Sequence, residues 1–510
     1  MALADSYLVI LKRLPGITSP LKRLTFRDKL KWTGLILIIY FLMAQIIVYG
    51  VGESQMEQLR FLEILLGSSF GSIMSLGIGP IVTASIVLQL MVGSKIIPWD
   101  LQSENGKILF QGTQKLLAII LSFVEAIIFV NMGAVPAASP ELAGLVILQL
   151  AIGGIIVIFM DEVISKWGFG SGVGLFIVAG VSKSIVVRTL NPLAINGVFP
   201  SPGNPPAGAI PFALTTLASG SLLESFLALL PVFATVIVFF LVVYANAIKV
   251  EIPLAFGSIR GFGRRWPLKY FYTSNIPVIL MAALMANVNL MGVMMANSGN
   301  PIFGTFDISG NPESGLALLI TPPRTHSLGG VMISAGAFAL LGAVIAYYTR
   351  RRGLKMVLLF AILGGALWVI ANTMLGNTSL LEIGIMDITR VISYTLVLAG
   401  GSTVFAYFWM TTAGMDSRSV ANQIAGTGMQ IPGYRRDPRI MEHVLKRYIP
   451  GLTIIGGASV GLLAAFADFT NAIGTGTGIL LATMIVFQLY EELASQHLED
   501  MHPSLRRFFE

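Results

Sequence analysis

The chain has 510 residues, of which 55% are hydrophobic and 12% charged, with a formal net charge of +7 and no cysteine. About a quarter of an ordinary soluble domain is charged, so this balance excludes a water-soluble fold and points to an α-helical protein that crosses a membrane many times. The absence of cysteine excludes disulfides and thiolate chemistry, and His326, His443, His497 and His502 all lie outside the apolar runs, which argues against an intramembrane histidine site.

Residues 1–31 carry Lys12, Arg13, Lys22, Arg23, Arg27, Lys29 and Lys31, interleaved with Leu8, Ile10, Leu11 and Leu14. That pattern predicts a short amphipathic helix lying on the cytoplasmic membrane surface. The first span follows at about 32–50, and no small-residue cleavage site comes after it, so it reads as retained.

The stretch from Gln55 to Gln89 is unusual. Its first part, apolar from Phe61 to Met74, is too short to cross and is interrupted by Gly67, Ser68, Ser69, Gly71 and Ser72. After Gly77-Ile78-Gly79-Pro80 a second apolar run crosses back at about 78–94. A half-helix of this kind is tolerated at membrane depth only inside protein or beside a cavity.

Further spans are expected at about 115–134, 142–160, 172–188, 224–247, 274–295, 330–348, 354–373, 389–410, 449–467 and 476–491, giving about twelve crossings. Lys and Arg cluster in alternate loops, which places both termini inside. The outer loops 190–223 and 296–328, rich in Pro, Gly, Asn and Ser, read as irregular connections. The inner loops 249–273 and 413–448 interleave Arg with aromatics, Gly and Pro, as in RGFGRRWPLKYFY and PGYRRDPR. Topology alone accounts for basic inner loops, but this length and composition also suit a phosphate-rich or acidic partner such as a ribosome.

GFGSGVG at 168–174 lacks a preceding strand and a following Gly-Lys-Ser/Thr, so close helix packing explains it better than a nucleotide loop. A similar GTGTG lies at 474–478, and GIGPIV at 77–82 has an echo in SNIPVI at 274–279. Each pair enters the membrane from opposite sides, as in an inverted-topology repeat. Such a repeat brings Ile78, Val82, Val173, Ile177, Ile279 and Leu481 toward the midplane. Helix packing alone explains isolated aliphatics; gathered at a constriction, they would block ions and water by dewetting. Glu125 is the clearest carboxylate inside a span, and Asp468 lies near an outer end. Glu125 reads either as a gate latch with Thr83 and Asn287 or as a structural group bonded to Ser or Thr.

Six stretches resemble the SecY family of protein-translocon channel subunits, most of all its archaeal branch. They are GIGPIVTASIVLQLMVGSKII, FQGTQKLLAIILSFVEA, GFGSGVGLFIVAGV, VYANAIKVEIPLAFG, YFYTSNIPVILMAALMAN and GTGTGILLATMIVFQLYEEL, in the family's order from residue 77 to 492. The resemblance implies an all-α polytopic clamshell of two inverted five-span halves, 32–190 and 224–492, with an external hinge loop at 191–223 and an inner tail at 493–510. It implies the same six residues as a pore ring, a set not independent of the repeat reading. It further implies a plug at 57–76, including Phe61, Leu65, Gly67, Ser68, Phe70 and Gly71. A lateral gate is implied between the second half of the 55–89 stretch and the span beginning near Ser274, with Thr83, Glu125 and Asn287 as its polar cluster. Arg260 and Arg435 match ribosome-engaging positions, with Arg264, Arg265 and Arg436 beside them.

The function implied is a passive protein-conducting channel of the cell membrane, neither an enzyme nor a cofactor carrier, that passes unfolded secretory chains and releases hydrophobic segments into lipid. The implied partners are a SecE-type gamma subunit, a small beta-type subunit, the ribosome, the signal-recognition-particle receptor, signal sequences, nascent chains and the lipid bilayer. One departure is large: the family has ten spans, and this chain carries an extra pair at 330–373, joined by Arg350-Arg351-Arg352. The pair is expected to pack on the second half or to hold an accessory subunit. The alternative reading is a secondary transporter of a small solute, which would need polar coupling groups at the midplane where this chain presents aliphatics.

Overall fold

A computed structural model describes the chain apart from residues 1–6, 8–10, 12, 23, 53–68, 100, 102, 132, 195–197, 202, 257–262, 274, 298, 308–310, 324–325, 350–352, 375–384, 427–428, 431–437 and 501–510. Its helices are α1 (Phe26–Met43), α2 (Gly79–Gly93), α3 (Glu104–Asn131), α4 (Ala143–Trp167), α5 (Gly172–Leu190), α6 (Ala209–Ala218), α7 (Leu222–Asn246) and α8 (Ile276–Asn297). They continue as α9 (Gly315–Leu319), α10 (His326–Thr349), α11 (Gly353–Met374), α12 (Ile385–Thr412), α13 (Ser417–Gly426), α14 (Pro438–Leu445), α15 (Ile449–Phe469) and α16 (Gly476–Asp500). Each predicted span falls on a helix, although the first helix stops at Met43, short of 50. Among the described residues, eight helices are long and apolar enough to cross a membrane by themselves. The other four predicted spans fall on α1, which opens on Arg27, Asp28, Lys29 and Lys31, and on α2, α10 and α11, whose apolar stretches are shorter.

Several expectations need correction. The outer loops are not wholly irregular, since they hold α6 and α9. The inner loops carry a small sheet within an architecture that is otherwise helical. Strand β1 (Lys249–Phe256) pairs antiparallel with β2 (Gly263–Lys269), and with β3 (Met429–Gln430) from the second inner loop through Ala255↔Gln430 and Phe256↔Met429. The order is β2-β1-β3. Alternation in Lys249-Val250-Glu251-Ile252 supplies the two-residue period a strand needs. In the register Lys249 stands opposite Lys269, an unfavourable pair, and both ammonium groups reach Glu491 of α16, Lys249 at 3.5 Å. Beneath the sheet, Leu268, Met410, Val420, Ile424, Met441 and Leu445 form a small core of their own.

The segment expected on the membrane surface is fixed to protein at several points. Leu11 is buried, packed where Gly112 of α3 leaves room, Tyr7 Oη and Thr113 Oγ1 lie 2.8 Å apart, and Trp167 Nε1 donates to the Thr18 carbonyl at 2.9 Å. Lys166 donates to the Ile17 carbonyl.

Two sets of helices repeat one neighbour pattern. In the first, α2 packs on α3, α3 on α4 and α4 on α5; in the second, α8 packs on α12, α12 on α15 and α15 on α16. A single large apolar core runs through both. The extra pair α10/α11 is a tight hairpin: Gly342 lies against the Met356 carbonyl and Phe360, and Gly364 against the Ser334 carbonyl and Phe338. It docks on the second set at Gly336, which meets Ile237 of α7 and Phe466 of α15. Small residues permit such close backbone approach in lipid, where burial of apolar surface supplies little drive.

Candidate pore seal and lateral gate

The six aliphatic residues come from four helices and share the large apolar core. Val82 and Ile279 lie in the first turns of α2 and α8, Val173 and Ile177 along α5, and Leu481 on α16, with Ile78 capping the start of α2. Pro80 in the first turn of α2 suits a helix start, where its missing N–H costs nothing. Gly77 takes a left-handed conformation, φ +52°, to turn the chain into that start. Val82, Val173 and Ile279 line a cavity of about 270 Å³ on the side of the basic loops, rimmed by polar groups including Asn275, Gln114, Gln488 and Glu492. Ile78, Ile177 and Leu481 do not line it; they are 0–1% exposed.

Of the expected plug residues, Phe61, Leu65, Gly67 and Ser68 lie outside the described residues. Phe70 packs on Phe129 with ring centroids 5.7 Å apart, and Gly71 turns at φ +81°. The chain from Ser69 onward is tied down rather than loosely packed. Ser72 and Ser75 bond within the turn, Val48 N donates to the Gly71 carbonyl at 2.9 Å, and Ile73 N donates to the Ile46 carbonyl at 3.0 Å. Met74 and Leu76 are fully buried, and Gly153 of α4 touches the Ile73 carbonyl so closely that no Cβ would fit.

The polar cluster assembles across three helices. Thr83 Oγ1 on α2 donates to Glu125 Oε1 on α3 at 3.0 Å, and Asn287 Nδ2 on α8 donates to Thr83 Oγ1 at 3.4 Å. Toward the basic loops the same seam narrows where Gly93, the last residue of α2, meets the Phe408 ring of α12. Beside it, a polar cavity of about 540 Å³ opens among α2, α3, α12 and α13, sharing Ser85, Gln114 and Trp409 with the funnel. Buried Gln89 in its wall donates to Ser85 Oγ at 2.8 Å and leaves its Oε1 without a protein partner.

Arg260, Arg435 and Arg436 lie outside the described residues, and Arg264 and Arg265 sit on β2 opposite Leu254 and Pro253. One group that sequence reasoning missed is Asp161 of α4. Its Oδ1 accepts from Val173 N at 2.9 Å, beside the ring.

A family model described as SecY matches residues 72–490. A protein of Methanothermobacter thermautotrophicus named protein translocase subunit SecY is 43% identical over 499 residues, covering 97% of this chain and 96% of its own. A solved structure described as that of a protein conducting channel superposes with a TM-score of 0.76 at 38% identity, covering 97% of this chain and 98% of that one. A second, described as Sec61 in the canine ribosome-channel complex from the endoplasmic reticulum, superposes at 0.74 with the same identity and coverage.

Proposed function

The chain belongs to the SecY family, and on that premise we propose how its residues divide the work of a protein-conducting channel. It is a multi-pass membrane protein of archaeal SecY type, and its work is conduction, not catalysis. The observation that carries the proposed division is a polar-rimmed cavity lined by Val82, Val173 and Ile279, with Ile78, Ile177 and Leu481 buried in the apolar core. Unfolded chains pass through the ring formed by Ile78, Val82, Val173, Ile177, Ile279 and Leu481. At rest the same side chains exclude ions by dewetting and, being apolar, give a passing chain nothing to bond to.

Hydrophobic segments leave between α2 and its neighbours α8 and α12. The Thr83–Glu125–Asn287 bonds hold that seam shut until an apolar segment displaces them. The plug, 57–76, closes the far side of the ring and is anchored at its C-terminal end by the turn at Ser69–Gly77. Arg260, Arg264, Arg265, Arg435 and Arg436 engage ribosomal phosphates. The remaining partners are a SecE-type gamma subunit, a small beta-type subunit and the signal-recognition-particle receptor, with both termini on the cytoplasmic face of the cell membrane.

The experiment is direct. A stalled secretory chain carrying a photo-crosslinker should form adducts at Ile78, Ile279 and Leu481. Competent targeting with no adduct at any of the three would overturn the assignment of the ring.

A further inference from the structure

The two glycine-rich helix starts share a device beyond their glycines. Gly172 and Gly476 are the first residues of α5 and α16. In each helix the next residue donates its backbone N–H to a carboxylate on the preceding helix: Val173 N to Asp161 Oδ1 at 2.9 Å, and Thr477 N to Asp468 Oδ1 at 2.7 Å. One turn further on, at four residues, stand Ile177 and Leu481. Both glycines are required by the same contact. A Cβ at Gly172 would fall on the Cα of Asp161, and one at Gly476 on the backbone of Ala467 and Asp468.

The two helices also face each other. Gly170 lies against Leu489, Gly174 against Ile485 and Gly474 against Ile185, an antiparallel register that brings Ile177 and Leu481 to within about one residue of the same level. Asp468 is buried and also accepts from the hydroxyls of Tyr394, at 2.6 Å, and of Thr477, tying α12 to the same point. Asp161 is half-buried and borders the funnel cavity.

We infer that Asp161 and Asp468 are paired positioning residues, each fixing the start of one ring-bearing helix one turn before its ring residue, so that two carboxylates set the level at which the seal closes. This rests on the ring assignment above. The bond is made to a backbone N–H, so what matters is the reach of the acceptor oxygen. Asparagine keeps that reach without the charge. Glutamate keeps the charge but adds a methylene where a glycine already marks the closest approach.

The test uses the full chain in its assembled complex, reconstituted in planar bilayers, with resting ion conductance read beside the thermal midpoint. Asp161→Glu, Asp468→Glu and the corresponding alanine variants should raise resting conductance about tenfold, the scale set by one charge-assisted hydrogen bond acting on a two-state closure. Asp161→Asn should keep the seal; Asp468→Asn places an amide N–H where Oδ2 accepts from Tyr394 and Thr477, so the asparagine arm is read at Asp161. If an alanine variant fails to assemble, the glutamate variants decide. Assembled glutamate variants that stay as tight as wild type, or a leaking Asp161→Asn, overturn the proposal; so does a leak that merely tracks a fall in thermal midpoint across the series. Ile78→Gly with Ile279→Gly is run alongside. If that pair stays tight the ring assignment itself fails, whereas a leaking pair beside tight glutamate variants refutes only the positioning role.

Discussion

Thr83 donates its hydroxyl hydrogen to Glu125 at 3.0 Å, and the same oxygen accepts from Asn287, so one small side chain joins α2 to both α3 and α8. Thr83→Val is nearly isosteric and removes both bonds. Interhelical hydrogen bonds in membranes average about 0.6 kcal/mol and reach about 1.7 kcal/mol, so the seam should loosen by roughly 1–2 kcal/mol. Export of a secretory substrate with a shortened apolar signal core should rise about three- to tenfold, and Glu125→Gln, which keeps an acceptor, should do less. Unchanged export in Thr83→Val would remove the latch.

Two glycines on α4 separate packing from helix propensity. Gly153 has the Ile73 carbonyl where its Cβ would go, whereas nothing approaches Gly144 within 4 Å. Gly153→Ala should cost about 1–3 kcal/mol through overpacking against backbone, and Gly144→Ala should be neutral or stabilise by up to about 1 kcal/mol. Thermal unfolding of the two purified variants in detergent would show it. Equal midpoints would mean that the turn after the plug moves aside freely.

The arginine assignment predicts a particular salt dependence. Replacing Arg264, Arg265, Arg435 and Arg436 with glutamate should weaken ribosome binding at least tenfold. The slope of log affinity against log salt should also flatten by about one for each phosphate no longer neutralised. A uniform loss with an unchanged slope would mean that these arginines support the loops and touch no phosphate.

Tyr272 reports on the inner loops. Its hydroxyl donates to the Met415 carbonyl at 2.7 Å, and burial, with the nearby Asp416 charge, pushes its pKa up from the usual 10 to about 12. The neutral form is favoured by the fold, so its contribution to stability is complete below about pH 10 and is lost as pH rises through about 12. A tyrosinate absorbance titration of wild type minus Tyr272→Phe should show one step near the upper value. A step near 10 would mean that the loop is open to water.

The membrane helices were legible because long apolar runs have few alternatives, and each predicted span is a helix. Their ends were not. α16 continues to Asp500 because QLYEELASQHLED is rich in good helix formers that hydropathy alone leaves out, and α3 begins at Glu104 rather than near 115 even though ENGKILFQGTQ carries Asn and two Gly. In the sheet, the alternation at Lys249–Ile252 marked the β1–β2 hairpin and was passed over, whereas β1–β3, about 175 positions apart in the chain, is a pairing no local pattern encodes. Glu125 stood out as the clearest carboxylate inside a span, with Thr83 and Asn287 read as its partners and matched by family resemblance, and the structure brings the three within bonding distance. Asp161 escaped because its partner is a backbone N–H, which leaves no mark in side-chain chemistry.

The strap of β1 and β3 has a mechanical meaning. It stitches the connection between α7 and α8 to the connection between α12 and α15, and Glu491 pins it to the last helix through Lys249 and Lys269. Only residues 270–275 separate the sheet from α8, which carries Asn287. A load hung on either inner loop is thus shared by both, and it reaches the Asn287–Thr83 bond along a short, taut path. A docked machine could tug the seam from outside the membrane without entering the pore.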